Sequence, residues 1–324
     1  MGDSKMGGFD RRMRRGGIRV LTAIGLFAAA PAAAEGVELT GTFPAPYREA
    51  SLLGSLAIGR FSGTDGEALS HAIERTLART GYFDILIGGR PGRRGNRADG
   101  MLSGVVTTGV EENRFTRTIK ECVEREGGKR DGKCLKEADR DVSCTRRVVT
   151  VRADMRIVDG ESGRVAYSSA KPMRDEISWC PGESPARTAE TTISNLIDQI
   201  AGSVQADIEP RTERYFIRFR ESTKGLSKPL AQRFKAAVRR TKRDARGACA
   251  EWAAIDREAS NHPSVLFDLG LCAEARGEYD TALDFYTRAA RVMGSDGMAR
   301  TGIDRIRRLM AGRDDARERA RRIG

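Results

Sequence analysis

The residues best suited to chemistry in this chain are its six cysteines, Cys122, Cys134, Cys144, Cys180, Cys249 and Cys272, and its two histidines, His71 and His262. Zinc sites built from thiolates and imidazoles need closely spaced ligand pairs, and no Cys-x-x-Cys occurs. A cysteine nucleophile needs a free thiol with a histidine beside it, whereas every cysteine here has a disulfide reading. The adjacent carboxylates Glu111 and Glu112 lie in a stretch that reads as a strand, so they point to opposite faces. The run Gly88-Gly-Arg-Pro-Gly-Arg-Arg-Gly95 lacks the Gly-Lys-Ser/Thr ending of a phosphate loop. Gly-x-Ser-x-Gly and His-Glu-x-x-His are missing as well. The expectation is a chain that needs no cofactor and no metal and is not an enzyme.

What remains is disulfide chemistry, which requires an oxidising compartment. Residues 1–34 supply the route to one. Lys5, Arg11, Arg12, Arg14, Arg15 and Arg19 outweigh Asp3 and Asp10. Residues 20–30 are uncharged and mostly apolar, and Pro31-Ala-Ala-Ala34 precedes Glu35. A basic region, a short apolar run and an Ala-x-Ala site together read as a cleavable signal peptide. The apolar run falls short of the ~20 residues a membrane-spanning helix needs. Met13 is an alternative start, and an uncleaved anchor is the alternative fate. No cysteine follows the apolar run, so no lipid anchor is expected. The mature chain should be soluble, without a transmembrane segment, in the periplasm or on the periplasmic face of the outer membrane.

Cleavage after Ala34 removes six basic and two acidic residues and lowers the formal charge from +12 to +8. A basic surface favours anionic partners: lipid headgroups, acidic wall polymers or acidic proteins. Export argues against nucleic acid. Biased arginine usage serving solubility is the other explanation of the excess.

Elements must position these groups. Residues 35–53, with Pro44 and Pro46, read as a lead-in segment. Ser55–Phe61 reads as a strand. Thr64-Asp-Gly-Glu67 fits a capping box in which the Thr64 hydroxyl caps the next helix. Leu69, Ala72, Ile73 and Leu77 give that helix its apolar face, Gly81 ends it, and His71 falls on its polar flank. Tyr82–Ile87 reads as a second strand, Gly88–Gly100 as a loop, and 101–122 as a long strand. Residues 123–142 are charged and lack apolar periodicity, so they read as an exposed excursion. Val149, Val151, Ala153, Met155 and Ile157 alternate with polar residues and predict a half-buried strand. Asp159–Gly163 turns it into a hairpin with 164–170. Ile193, Leu196, Ile197, Ile200, Val204 and Ile208 predict a helix on the sheet, and Tyr215–Phe219 an edge strand.

Cys144 then begins one hairpin strand and Cys180 follows the other. Antiparallel pairing favours Cys144–Cys180, and Cys122–Cys134 would close the excursion. Six cysteines can pair in many ways, and a 122–144 bond stays open.

From about residue 221 the chain reads helical. Leu269-Gly270, Ala282, Tyr286 and Ala289 resemble the tetratricopeptide repeat, in which small residues let two antiparallel helices touch. About 34 residues upstream, Ala248 and Trp252 fall in register with Ala282 and Tyr286. That register sets Cys249 and Cys272 on neighbouring helices, where a disulfide is plausible. Residues 297–322 read as an arginine-rich capping helix.

The amino-terminal part carries a second resemblance. Ile58-Gly-Arg-Phe-Ser-Gly63, Gly81-Tyr-Phe-Asp-Ile85 and the hairpin Ile157-Val-Asp-Gly-Glu-Ser-Gly-Arg-Val165 resemble the CsgG-like and TolB-amino-terminal envelope family over about residues 50–210. The resemblance implies an envelope interaction or assembly module. The chain departs from channel-forming members in lacking a lipobox cysteine, and its 123–142 excursion is too charged for a lipid-facing hairpin.

The expected architecture is therefore a signal peptide (1–34), an α/β (α+β) sandwich domain (35–220) and an all-α tetratricopeptide-like module (221–324). The expected role is a non-enzymatic envelope scaffold that binds a protein or peptide, acidic in character, through its repeats and its α/β domain. Arg239, Arg240, Lys242, Arg243 and the basic tail would favour such a segment. The alternative is attachment to an anionic envelope polymer or membrane surface.

Overall fold

The computed structural model describes residues 35–86, 90–91, 97–128, 130–294 and 297–323. The signal-peptide reading, and most of the loop reading at 88–100, lie outside the described residues. In chain order the elements are β1 (Gly36–Phe43), α1 (Arg48–Ser51), β2 (Ser55–Ser62), α2 (Gly66–Thr80) and β3 (Asp84–Leu86). A short pair, β4 (Arg90–Pro91) and β5 (Arg97–Ala98), leads to the long strands β6 (Gly100–Arg125) and β7 (Cys134–Asp159). Then follow β8 (Val165–Trp179), α3 (Ala189–Ile208) and β9 (Arg211–Arg218). The helices α4 (Lys228–Arg240), α5 (Ala245–Glu258), α6 (Pro263–Ala275), α7 (Tyr279–Met293) and α8 (Gly297–Ile323) complete the chain.

A five-stranded sheet runs in the order β3-β2-β6-β7-β8. β2 is parallel to β3 and β6, and the β6-β7-β8 half is antiparallel. The alternation in β7 does what its period requires. Val149, Val151, Ala153, Met155 and Ile157 face α2 and α3, which bring Leu69, Ile73, Leu77, Leu196, Ile200 and Val204 to the same core. Each fully buried aliphatic side chain of this kind contributes roughly 1.5–3 kcal/mol. The opposite face of the sheet carries no second helical layer, so the architecture is mixed α/β with one open sheet face and a helical carboxyl part.

Four sequence readings change. Residues 35–53 are not a mere lead-in, because Val37, Leu39, Gly41 and Phe43 alternate inward on β1. Tyr215–Phe219 does not extend the main sheet; β9 pairs with β1 in a separate antiparallel ribbon, from Gly36↔Arg218 to Phe43↔Arg211. The 123–142 excursion is the far end of β6 and β7, which stay paired to Arg125↔Cys134. The capping box does not form: Asp65 is the N-cap of α2 and makes no side-chain cap bond. Gly66, the first residue of the helix, sits hard against the Phe61 carbonyl, where a Cβ would come within 2.2 Å of the oxygen. Gly81 does end α2, in the left-handed conformation at φ 65°.

The β1–β9 ribbon belongs to a second core. Leu39, Phe43 and Phe219 pack with Phe234, Trp252, Leu266, Phe267, Tyr286 and Ile306 of the helices. α8 runs from this core back to the sheet part. Its Asp315 and Glu318 bind Arg48, with Asp315 at 2.6 Å. Its Arg319 donates to the carbonyls of Leu53 and Tyr82 and lies 4.1 Å from the Tyr82 ring centroid. Glu35–Gly324 thus holds together as one compact unit with two cores.

Gly270 shows how closely the helices approach. A Cβ there would lie 2.7 Å from the Tyr286 ring, which Gly302 of α8 crowds from its own position. Gly270→Ala is expected to cost about 1–3 kcal/mol by overpacking. The readout is a lower urea midpoint at an unchanged slope.

Candidate functional site

All six cysteines are oxidised, as Cys122–Cys134, Cys144–Cys180 and Cys249–Cys272. Antiparallel strand pairing and the helical register bring these pairs together, although Cys144 does not begin its strand, since β7 starts at Cys134. None is free among the described residues. Three disulfides fit an exported protein that has met an oxidising compartment. Among the described residues no helix is long and apolar enough to cross a membrane, and no group of His, Cys, Asp or Glu is arranged to hold a metal ion. His71 is exposed between Glu67 and Glu74 on the polar side of α2. Glu112 pairs with Arg147 at 2.6 Å, and Glu111 projects from the other face.

The Cys122–Cys134 bond lies in a projecting arm. β8 ends opposite Thr145, and β2 ends opposite Val105. Beyond those points β6 and β7 pair only with each other. The part past Phe115 and Cys144 is about 30 Å long at ~3.3 Å per residue. An isolated two-stranded ribbon is marginal in water. Cross-strand contacts support this one: Arg140 binds Glu121 at 2.8 Å, Thr118 donates to Asp141 at 2.7 Å, and Lys120 lies 3.9 Å from Glu137. Such exposed pairs contribute little each, so the covalent staple carries the order at the far end. Beside the staple, Val123 and Leu135 are 56% and 58% exposed. Arg114 and Arg117, exposed on opposite faces beside the unpaired edge of β6, make no ion pair among the described residues.

The helical residues singled out by the repeat pattern come together. Trp252, Ala282, Tyr286 and Ala289 are buried, as is Leu269, and Gly270 faces Tyr286. The environment of α6 differs from that of a groove-lining helix, because Ser264 to Glu274 are buried without interruption. One cover is the chain's own segment after β9. The Arg220 amide donates to Asp268 at 2.9 Å, the Ser264 hydroxyl donates to the Ser222 carbonyl at 2.7 Å, and His262 Nε2 donates to the Lys224 carbonyl at 3.0 Å. The surface this helix would offer to a peptide is therefore occupied from within. Burial pushes the Asp268 carboxyl well above its usual range.

Burial likewise lowers the His262 pKa from 6.5, with the nearby Arg220 acting in the same direction and the Lys224 carbonyl opposing both. The unfolded chain therefore protonates this ring more readily than the folded chain. Its stabilising contribution is complete above pH 6.5 and is lost as pH falls through the lower folded value. Urea midpoints at about pH 7.5 and about pH 5.5 should show this loss. His262→Gln, which keeps a donor for Lys224, is expected to flatten it.

Sequence reasoning missed a polar group that accepts four hydrogen bonds among the described residues. Glu274 lies near the end of α6 with a side chain 1% exposed. It accepts Tyr215 at 2.9 Å, Tyr286 at 2.6 Å, and Arg305 at 2.6 and 2.8 Å. One carboxylate so joins β9, α6, α7 and α8. The available signal was an acid inside an otherwise apolar helix. The same network engages part of the basic tail. Arg305 serves Glu274, Arg308 lies over Phe43, Arg313 binds Asp280, Arg319 binds backbone carbonyls and Arg322 binds Glu318. Arg305, Arg308, Arg313 and Arg319 so hold α8 against its neighbours, Arg322 pairs within α8, and Arg307 and Arg321 face solvent. On the α4–α5 turn, Arg240 pairs with Asp244 and Lys242 with Glu35, while Arg239 and Arg243 face solvent.

No family model matches the chain, and no curated protein does. Solved structures show a distant likeness. PelC from Paraburkholderia phytofirmans, a dodecamer, is 19% identical over 54% of this chain and 99% of its own, with a TM-score of 0.26. A minor lipoprotein from Acinetobacter baumannii is 13% identical over 48% of this chain and 89% of its own, with a TM-score of 0.24. Rare lipoprotein B from Shewanella oneidensis is 12% identical over 46% of this chain and 89% of its own, with a TM-score of 0.22. Likeness at this level carries no argument about function.

Proposed function

We propose that this chain is a non-enzymatic assembly scaffold of the cell envelope. It engages an acidic, extended segment of a protein partner along the β6–β7 arm. The helical stack, tetratricopeptide-like in its packing residues, serves as the rigid base. The observation that carries this reading is the arm itself: a ribbon held out from the body, stapled by Cys122–Cys134, with Val123 and Leu135 bare beside the staple. Ordering such a surface in advance lowers the entropic cost of association. The free edge of β6 offers unpaired backbone groups to an added strand, the usual way a sheet edge captures a peptide. Arg114 and Arg117 on that edge favour carboxylates. The sequence resemblance of residues 50–210 to an envelope assembly family supports the same setting.

Helices α5 to α7 cannot be removed to test this, because they carry Trp252 and Tyr286 of the second core. The arm can. Thr116 and Ser143 are direct partners across the ribbon, so replacing residues 117–142 by Asn-Gly closes a short hairpin and removes both arm cysteines. This variant is expected to keep the parent's thermal midpoint and to lose the partner in pull-downs from envelope extracts. Undiminished recovery of that partner by a folded variant contradicts the reading.

A further inference from the structure

The open face of the five-stranded sheet carries a row of side chains that the scaffold reading does not use. Ser103 of β6 stands opposite Arg156 of β7, which stands opposite Ser168 of β8. A bulge in β2 sets both Gly59 and Arg60 against Ser103, between the registers Ile58↔Leu102 and Phe61↔Gly104, and Arg60 lines the same depression. The row therefore reads Arg60, Ser103, Arg156, Ser168 across four strands. At ~4.8 Å per strand, the two arginine Cα atoms are about 10 Å apart. All four residues line one depression of about 640 Å³, whose floor is low because Ser103, Ser168 and Ala170 are short.

The charges on this face set the row apart. Arg152 is held by both oxygens of Asp154, at 2.9 and 2.8 Å, and Arg146 and Arg174 share Glu176. Asp154 is the only carboxylate lining the depression, and Arg152 already engages it. Arg60 and Arg156 have no ion pair among the described residues, and the hydroxyls of Ser103 and Ser168 have no protein partner there. Two uncompensated guanidiniums flanking a hydroxyl present a fork of donors suited to a planar or tetrahedral oxyanion.

We propose that this row is a binding site for an oxyanion, a carboxylate or phosphate, carried by a small molecule or borne on an envelope polymer. The site is independent of the arm and stands or falls without the scaffold reading.

The test is arginine modification by phenylglyoxal on the full mature protein, read by peptide mass spectrometry. Arg239, exposed and unpaired on α4, is the internal control. Inorganic phosphate is expected to slow modification of Arg60 and Arg156 but not of Arg239. Arg156→Ala is expected to weaken protection of Arg60 by about tenfold, the loss of one charged hydrogen-bonding partner. Acetate and polygalacturonate, compared at equal carboxylate concentration, separate the sources. Stronger protection by the polymer assigns the site to a polymer-borne group, and equal protection assigns it to a free anion. Protection of Arg239 equal to that of the pair, or protection of Arg60 that survives Arg156→Ala unchanged, overturns the proposal.

Discussion

Glu274→Ala is expected to destabilise the chain by about 3–5 kcal/mol, the penalty for leaving a buried charge without its partner. The substitution strands the Arg305 guanidinium, whose side chain is 11% exposed, and removes the acceptor of two tyrosine hydroxyls. Those hydroxyls are already reluctant acids: burial, reinforced by the Glu274 charge, raises the pKa of both Tyr215 and Tyr286. With the carboxylate gone, four elements lose their common contact, so the loss should appear in the global transition and not as local fraying. Equilibrium urea unfolding is the measurement. Arg305→Ala should be similarly costly, and the double variant should cost less than the sum, since removing both charges removes the uncompensated one. A wild-type midpoint for Glu274→Ala would show that the network contributes nothing to stability.

The Cys144–Cys180 bond should have an effect of comparable size. It closes a loop with a sequence separation of 36. Restricting the unfolded chain by a loop of that length contributes about 4 kcal/mol in the chain-entropy account. Both cysteines are buried where β8 ends against the middle of β7, so alanine replacement also loses packing. The double variant Cys144→Ala/Cys180→Ala is expected to lower the urea midpoint more than Cys122→Ala/Cys134→Ala does. The second pair closes a shorter loop, and it closes it in an arm that contributes no residues to either core. Equal midpoints for the two double variants would mean that the arm is energetically coupled to the body.

Much of the α/β part was legible because its signals are local. The alternation from Val149 to Ile157 and the stripe from Ile193 to Ile208 each identify a buried face within one element. The disulfide pairs followed from strand pairing and helical register. The failures have equally physical origins. β1 escaped notice because its partner β9 is remote in sequence, with Thr42 bonded to Thr212 at a separation of 170 residues. The arm was mistaken for an irregular excursion because period-two alternation reports one buried face, and the arm has none. Its strands are specified by backbone pairing and a covalent staple, neither of which leaves a hydrophobic pattern. The covered state of α6 was hidden for the opposite reason. A helix apolar on every side has little periodicity to read, and only Asp268 and Glu274 within it hinted that polar partners were waiting. The open-face row depends on cross-strand register, which no single strand records.

These contacts favour the arm as the proposed interaction surface. The helix that the repeat pattern would present to a partner is contacted by residues 220–224, and part of the basic tail fastens α8. The arm is an ordered and exposed feature of the fold that neither core uses. Site-specific photocrosslinking in intact cells tests that claim most directly, with the probe placed at Arg117 or Val123 on the arm and, for comparison, at Arg291 on the exposed side of α7. The account predicts that the arm positions yield a discrete adduct with an envelope protein and that the α7 position yields none. Adducts from Arg291 with none from the arm would contradict it and return the partner to the helical stack.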